Sequence, residues 1–513
     1  MIDINKAKQK ILDLAIRGKL TKQHLKDGNI NDEIIHYIDN VEMDNEYKKN
    51  KKQVKINTIE ELPFDIPKTW SWVRLGNICS IFGRIGYRGY TKDDIVEEGN
   101  GAISLSPSNL IGFGNMDYSN CTYISWEKYN ESPEIMINSE DIIIVKTGSS
   151  YGKTGFVSNL QKRATINPQL AILKYLQGNR KYILIILNTV FVKKQLDDFV
   201  LGSAVPTFSQ EDLANLMIPI PPLAEQIRIV EKVDKLFEIL DKIDEAQKKY
   251  QKDKEILKSK IIEAGIRGKL TKQLKTDGNA SDLLDEIRKE KEKLIKDGKI
   301  KRDKKETYIY KNPKDNLYYE KHQDGTEKCI QEELPFEIPD NWVWCKLAQI
   351  SKAISKGTTP RGGKVAYKNS GIGFLRAENI LGFNRIDTYN LKYIDEKIHN
   401  SILKRSILFE NDILISIAGT LGRTGLVTKE LLPLNTNQAV SFIRLIYDNE
   451  LFPKYILYVL NSNSVKLILL NKKVDMAIPN ISLETISNCP IPLPPLAEQE
   501  RIVNKIEELF NTI

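Results

Sequence analysis

The chain is written twice, and this duplication constrains its fold more than any other feature. "IPIPPLAEQIRIV" (Ile218–Val230) returns as "IPLPPLAEQERIV" (Ile491–Val503), with changes only at Ile220/Leu493 and Ile227/Glu500. "ELPFDIPKTWSWVRLGNI" (Glu61–Ile78) returns as "ELPFEIPDNWVWCKLAQI" (Glu333–Ile350), and "AIRGKLTKQ" (Ala15–Gln23) as "GIRGKLTKQ" (Gly265–Gln273). "DIIIVKTGSSYGKTGFV" (Asp141–Val157) returns as "DILISIAGTLGRTGLV" (Asp412–Val427), one residue shorter. Each half runs in the same order: a helical segment ending at Gly-Lys-Leu-Thr, a charged stretch, and a domain from Leu-Pro-Phe to Pro-Pro-Leu-Ala-Glu-Gln.

The junction between the halves predicts a long helix. From Leu223 to Ala264 there is no Gly or Pro. Val230, Val233, Phe237, Leu240, Ile243, Tyr250, Leu257, Ile261 and Ala264 recur at steps of three and four, with Gln247 and Lys254 as polar breaks. A period near 3.5 marks a coiled-coil seam. At 1.5 Å per residue the helix would be about 60 Å long; the alternative is two shorter helices with a tight turn near Asp253. The C-terminal copy stops at Ile513, matching Leu240, and the N-terminal copy begins at Met1, matching Gln251. Head and tail together thus rebuild a second helix, less an interior stretch. The expected fold is α+β, with two mixed β/α domains joined by long antiparallel coiled-coil helices in a pseudo-two-fold cyclic arrangement whose termini lie close together. The divisions are 1–60 (N-terminal helical region), 61–217 (first domain), 218–332 (central helix and charged segment), 333–490 (second domain) and 491–513 (C-terminal helix).

Within the domains, "DIIIVKTG", "LAILKY", "DILISIAG" and "AVSFIRLI" read as strands. Helices are expected at Tyr182–Phe199 and Pro453–Asn471. Trp70, Trp72, Trp342 and Trp344 read as core. Ser281–Glu306 reads as a charged helix, and Asn31–Lys55 as its counterpart. Such a helix is a solvated face or a docking surface.

Several chemistries are excluded or weakened. "GSSYGKTG" has three residues, not four, between Gly148 and Gly152, and a strand follows where a phosphate-cradling loop needs a helix. Its copy also puts Arg423 in place of Lys153. Cys79, Cys121, Cys329, Cys345 and Cys489 are scattered and odd in number, as expected of reduced thiols in the cytoplasm. His24, His36, His322 and His399 form no metal-ligand pattern. No methyltransferase signature is present. Asp141 lies near Lys146, but its copy Asp412 has no matching lysine, which favours a strand-start aspartate over a nuclease centre. No apolar run is long enough to span a bilayer.

The variable tips point towards nucleic acid. The frame between the Trp-x-Trp opening and the glycine loop is shared at Leu105/Leu375, Asn109/Asn379 and Gly112/Gly382, while Ser106 faces Arg376 and Ser108 faces Glu378. Similar scaffolds with different polar tips suit two readers of two sites, since base edges are read by such side chains and phosphates are held by cations. The candidate DNA-binding residues are Arg84, Arg88, Ser106, Ser108, Asn109, Lys146, Lys153, Lys356, Arg361, Arg376, Asn379 and Arg423. Lys153 and Arg423 either hold phosphate or are solvated cations on structural turns. Net charge is +8, from 76 basic and 68 acidic residues, which permits such a partner without demanding one.

The twice-written Pro-Pro-Leu-Ala-Glu-Gln helix start, the Leu-Pro-Phe and Trp-x-Trp domain opening and the two-half organisation resemble the DNA-specificity subunit of type I restriction–modification systems. The resemblance implies two target recognition domains, each reading half of a bipartite asymmetric sequence. It implies helices that separate the domains and bind two methyltransferase subunits, which restriction subunits join. Leu223, Glu225, Gln226, Leu496, Glu498 and Gln499 match the helix-start motif and would belong to the spacer and subunit-docking region. Lys153 and Arg423 occupy the glycine-turn loop. Asn167 with Gln169, and Asn437 with Gln438, match a polar spot, with Pro168 read as an insertion. S-adenosylmethionine is expected on the methyltransferase partners, with no cofactor or metal on this chain. A nuclease or NTPase on a duplicated scaffold, or an assembly scaffold that reads no DNA, are the alternatives.

Overall fold

The helix predicted over the stretch without Gly or Pro is one element, Leu223–Ile266, of 44 residues. It belongs to a computed structural model that describes residues 1–43, 62–84, 89–158, 160–200, 205–302, 306–360, 367–447, 450–470 and 480–513. The chain divides into two compact units, Met1–Lys249 and Tyr250–Ile513. The 3.5-residue seam is buried towards the helix ends, at Val230, Val233 and Ile261. Tyr250 and Leu257 are 56% and 45% exposed.

In the first unit, helix Ile4–Ile16 starts at Asp3, whose carboxylate accepts from Lys6 N at 3.0 Å. It runs antiparallel to the long helix: Ile2 pairs with Gln247 through two hydrogen bonds (2.7 and 3.1 Å), and Lys8 with Asp241 (2.6 Å). The polar break at Gln247 is therefore a backbone-pairing site. Leu12, Ala15 and Ile16 share one core with Ile229, Val230 and Val233. The chain then turns at Gly18, φ +65°, where a Cβ would lie 2.4 Å from Pro67; only glycine fits that conformation and that contact.

The second unit repeats this plan with the C-terminal helix, Leu496–Thr512. The Tyr250 hydroxyl donates to Ile513 O at 3.2 Å, and the Lys258 ammonium lies 5.4 Å from the Phe510 ring. Ile502 and Ile506 close over Gly265, and Gly268 meets Pro339 as Gly18 meets Pro67.

Each mixed β/α domain is closed by its own first and last strands. Ser71–Arg74 pairs antiparallel with Met217–Ile220, and Val343–Lys346 with Pro490–Leu493. Between these strands lie two four-stranded sheets per domain. In the first domain Ser80–Gly83, Leu170–Lys174, Ile142–Val145 and Thr154–Phe156 form an antiparallel sheet in that order. Ile142 and Ile144 face the helical core while Ile143 and Val145 face the second sheet. Burial on both faces explains the unbroken apolar run at these positions. The second sheet contains the parallel pair Gly101–Leu105 and Ala164–Ile166.

Each helix expected after the sheet is two helices: Arg180–Leu187 and Val190–Val200, then Leu451–Asn461 and Asn463–Leu469. The breaks fall where hydroxyls cap the following turn. Thr189 Oγ1 accepts from Val192 N at 3.2 Å, and Ser462 Oγ from Val465 N at 3.3 Å. Asn188 and Asn461 at the same breaks donate to Thr154 and Thr424 of the glycine hairpins (2.8 and 2.5 Å), tying helices to hairpins.

The charged helix of the second half spans Ala280–Lys296 and buries Leu283, Leu284 and Ile287. It ends well before Glu306. Its counterpart is Ile30–Met43, and the remaining residues to Lys55 lie outside the described ones. A three-stranded meander, Tyr308–Lys311, Tyr318–Lys321 and Glu327–Cys329, follows in the second half and was not foreseen from the sequence. Ile309 and Ile330 pack on Trp344, which is 1% exposed. Trp70 and Trp342 are also buried and Trp72 is half-buried.

Candidate nucleic-acid interface

The glycine stretch is a hairpin turn. Ile142–Val145 and Thr154–Phe156 pair antiparallel, as do Ile413–Ser416 and Thr424–Leu426, so no helix N-terminus follows to hold a phosphate. In the first domain the turn brings several strand ends to one rim. Lys146 N and Thr147 N donate to Gln169 O (2.8 and 3.3 Å), Asn167 N to Leu105 O (2.8 Å), and Gly148 N to Pro206 O (2.9 Å). Thr147 and Thr207 hydroxyls lie 2.7 Å apart. In the second domain Ile417 N donates to Ala439 O (2.8 Å), Asn437 N to Leu375 O (3.2 Å), and Ile481 N to Ile417 O (3.0 Å). Gly357 fits beneath this rim because a Cβ there would sit 2.3 Å from the carbonyl oxygens of Thr436 and Asn437.

These contacts correct one alignment. Asn167 and Asn437 are equivalent, and each side-chain carbonyl accepts from the backbone two residues on: Gln169 N at 3.0 Å, Ala439 N at 3.2 Å. Gln169 therefore matches Ala439, and Pro168 matches Gln438. Nothing is inserted; the glutamine has moved by one position.

The DNA-binding candidates separate by environment. Arg84 is 3% exposed and donates to Ile166 O (3.0 Å) and Thr165 Oγ1 (3.2 Å). It braces the parallel strand from inside and offers no face to a ligand. Asn109 and Asn379, 3% and 1% exposed, are loop staples. Asn109 accepts from Ser106 N (2.9 Å) and donates to Asp117 O and Asn120 O (3.0 Å each), and Asn379 repeats this on Arg376, Asp387 and Asn390. The frame they share between the copies is structural. Ser106 and Ser108 hydroxyls lie 2.8 Å apart, and their counterparts Arg376 and Glu378 form an ion pair. Lys356 is exposed at the end of strand Ser351–Lys356. Lys146 is half-buried, and desolvation pushes its ammonium below the usual lysine range; its counterpart, Ile417, is a core residue. Lys153 lies along Gly112, with its Cε 4.0 Å from a Cβ built there, and Arg423 lies along Gly382 in the same way. Arg423 also donates to Ile380 O at 3.3 Å. Arg88 and Arg361 lie outside the described residues.

The helix-start motif faces inward. Glu225, 1% exposed, accepts from Trp70 Nε1 (2.9 Å), Thr21 Oγ1 (3.0 Å) and Gln23 Nε2 (2.9 Å). Glu498, 0% exposed, accepts from Trp342 Nε1 (2.9 Å), Thr271 Oγ1 (3.1 Å) and Gln273 Nε2 (2.8 Å). Gln226 and Gln499 donate to Pro221 O and Pro494 O, both at 2.8 Å. These four buried side chains clamp each domain to its helix and present nothing to a partner subunit; Leu223 and Leu496 remain about two-fifths exposed, at 41% and 39%.

The strand-start aspartates are internal ion-pair partners. Asp141 lies 3.5 Å from Lys174, and Asp412 binds Arg444 at 2.7 and 2.6 Å. Burial raises both carboxyls above the usual range despite these cations. Among the described residues no group of His, Cys, Asp and Glu could hold a metal, and no helix is long and apolar enough to cross a membrane.

Residues that sequence reasoning passed over also stand at the rim. Thr207, Thr358 and Asn480 are exposed there, Thr147 bonds Thr207, and Thr359 bonds Gln438. The signal for two of them was in the repeat: Pro206-Thr207-Phe208-Ser209 and Pro479-Asn480-Ile481-Ser482 share a frame and differ at the exposed residue.

Comparison with known proteins agrees with this architecture. The family described as "Type I restriction modification DNA specificity domain" matches residues 67–251 and 339–513, once in each half. The specificity subunit of the Escherichia coli type I restriction enzyme EcoAI is 26% identical over 99% of this chain and 89% of its own length. That of EcoEI, also from Escherichia coli, is 26% identical with the same coverage. A solved structure titled as concerning complex assembly and conformational transition of the type I R-M system superposes with a TM-score of 0.55 at 18% identity, covering 88% of this chain and 92% of the other. The chain belongs to the type I restriction–modification DNA specificity domain family, as a non-catalytic specificity subunit with two recognition domains.

Proposed function

We propose that this chain binds double-stranded DNA and that each recognition domain reads one half of a bipartite, asymmetric target. The observation that carries this reading is the duplicated rim: one backbone scaffold, built twice, with different polar side chains on it. In this reading the helices dock two methyltransferase subunits, which bind S-adenosylmethionine, and restriction subunits join that complex in the cytoplasm. The chain itself binds no cofactor. The cations at the hairpins suit phosphate contacts, and the amides and hydroxyls at the rims suit base edges.

Selection of bound sites from random duplex DNA by the chain assembled with its methyltransferase subunits tests this directly. The expected result is two short specified blocks separated by a fixed unspecified gap. Enrichment of no sequence, with the assembly intact, would leave a scaffold that reads no DNA.

A further inference from the structure

The turn that leaves the first strand of the parallel pair is built alike in both domains and carries different side chains. It follows Gly101–Leu105 in the first domain and Ile372–Leu375 in the second. The carbonyls of Leu105 and Leu375 receive the rim loop, from Asn167 N at 2.8 Å and Asn437 N at 3.2 Å. The next residue, Ser106 or Arg376, is fixed through both of its backbone groups. Its N–H donates to the side-chain carbonyl of Asn109 or Asn379 (2.9 Å each), and its carbonyl accepts from the backbone N–H of that same asparagine (3.0 and 2.9 Å). Both copies share this frame, so the frame cannot tell one half-site from the other. The side chains standing on it can, because the copies do not share them.

In the first domain those side chains are neutral hydroxyls. Ser106 Oγ donates to Asn109 Oδ1 at 3.1 Å and lies 2.8 Å from Ser108 Oγ. A serine hydroxyl both donates and accepts, so it discriminates weakly between bases. In the second domain the same two positions are charged. The Arg376 guanidinium pairs through Nη2 with the exposed carboxylate of Glu378. Arg376 Nε is buried and has no partner among the described residues. Glu378 thus holds the guanidinium by its Nη end. A planar fork of N–H donors held in place matches the O6 and N7 acceptors of guanine. A phosphate contact would gain nothing from this neighbour, since a carboxylate beside the cation offsets its attraction for an anion.

We infer that Arg376 is a specificity-determining residue that reads a guanine in the half-site of the second domain, and that Glu378 is the positioning residue that holds it. Ser106 and Ser108 stand over the equivalent base pair of the other half-site and leave it weakly specified. This inference rests on the DNA-reading function proposed above.

The test is site selection from random duplexes with the methyltransferase-bound complex. It compares the wild-type chain with Arg376→Ser, Arg376→Gln, Glu378→Ser and the double variant Ser106→Arg with Ser108→Glu. Arg376→Ser is expected to flatten a guanine preference at one position of one half-site by roughly 5- to 100-fold, leaving the other half-site intact. Arg376→Gln is expected to move that position from guanine towards adenine, whose N6 and N7 pair with a carboxamide. Glu378→Ser is expected to weaken the preference at the same position with the arginine still present. The double variant is expected to create a guanine preference in the half-site of the first domain. Unchanged preferences in both Arg376 variants, or uniformly weaker binding to every sequence with a shallower salt dependence, would overturn the inference in favour of a structural or backbone role. A loss at a different position in Glu378→Ser would overturn the positioning role and make Glu378 a base reader. A double variant that gains no guanine preference would overturn the equivalence of the two positions. A wild-type complex that selects no bipartite site would instead overturn the reading on which the inference rests.

Discussion

At the scale of single residues, the two glutamates of the helix starts carry more of the fold than any exposed charge. Glu225 accepts three hydrogen bonds in a site 1% exposed, one from a buried tryptophan. Hydrogen bonds contribute about 0.5–1.5 kcal/mol each, and an orphaned buried donor costs a further 1–3 kcal/mol. Glu225→Ala, which strands Trp70 Nε1, should lower stability by about 3 kcal/mol or more in a denaturant titration, and Glu498→Ala should match it. A loss below about 1 kcal/mol would show that water replaces the carboxylate. The hairpin cations make a different claim. If Lys153 and Arg423 hold phosphates, each Lys153→Ala or Arg423→Ala change should weaken binding to all sequences alike. It should also reduce the slope of log K against log salt by about one, measured in binding titrations. An altered sequence preference would make them base readers.

At the scale of elements, the arms after Gly-Lys-Leu-Thr are pinned to the helices by matched ion pairs. Arg228 binds Asp27 and Arg501 binds Asp277, with closest approaches of 2.5 and 2.6 Å. In both pairs the arginine hydrogen bond holds the aspartate below the usual carboxylate range. A depressed folded value means stability that is present above the unfolded value, about 3.9, and lost as pH falls through the folded one. Arg228→Ala and Arg501→Ala should therefore melt below the wild-type chain at pH 7, with the gap narrowing as pH drops below about 4. A gap independent of pH would mean that packing of the arginine stems, not charge, is lost.

Much at this scale was legible because the chain repeats itself. The long helix showed in its period and in the absence of Gly and Pro from Leu223 to Ala264. The strands showed in unbroken apolar runs that two-sided burial requires. The breaks at Thr189 and Ser462 were not legible, because a capping hydroxyl inside an apolar run looks like one polar residue on a helix face. The inward aim of Arg84 and Asn109 was likewise hidden: type and spacing mark a residue as polar, but only the fold decides whether it finds backbone carbonyls or solvent. The meander at 308–329 was obscured by charge, since its apolar residues serve mainly to roof one tryptophan.

At the scale of the whole molecule, the long helix Leu223–Ile266 is one element shared by the two compact units. If it acts as a spacer, its length sets the distance between the sites read. Deleting one turn within Leu240–Tyr250 should change the gap between the two specified blocks recovered from random duplexes, while the blocks themselves stay the same. An unchanged gap would sink the spacer role.

The pairing of Ser71–Arg74 with Met217–Ile220, and of Val343–Lys346 with Pro490–Leu493, has a genetic consequence. Each recognition domain enters and leaves through adjacent strands, so everything between them is one continuous segment that begins and ends at one place. A crossover that joins this chain to a relative at those strands would keep the clamp glutamates, the arms and the long helices, and would replace the two sheets, the helices packed on them and the rim they carry. Exchange of a whole domain would then change one half of the target in a single step, and the near-identical wording of the flanking segments in both halves supplies the homology that such an exchange needs.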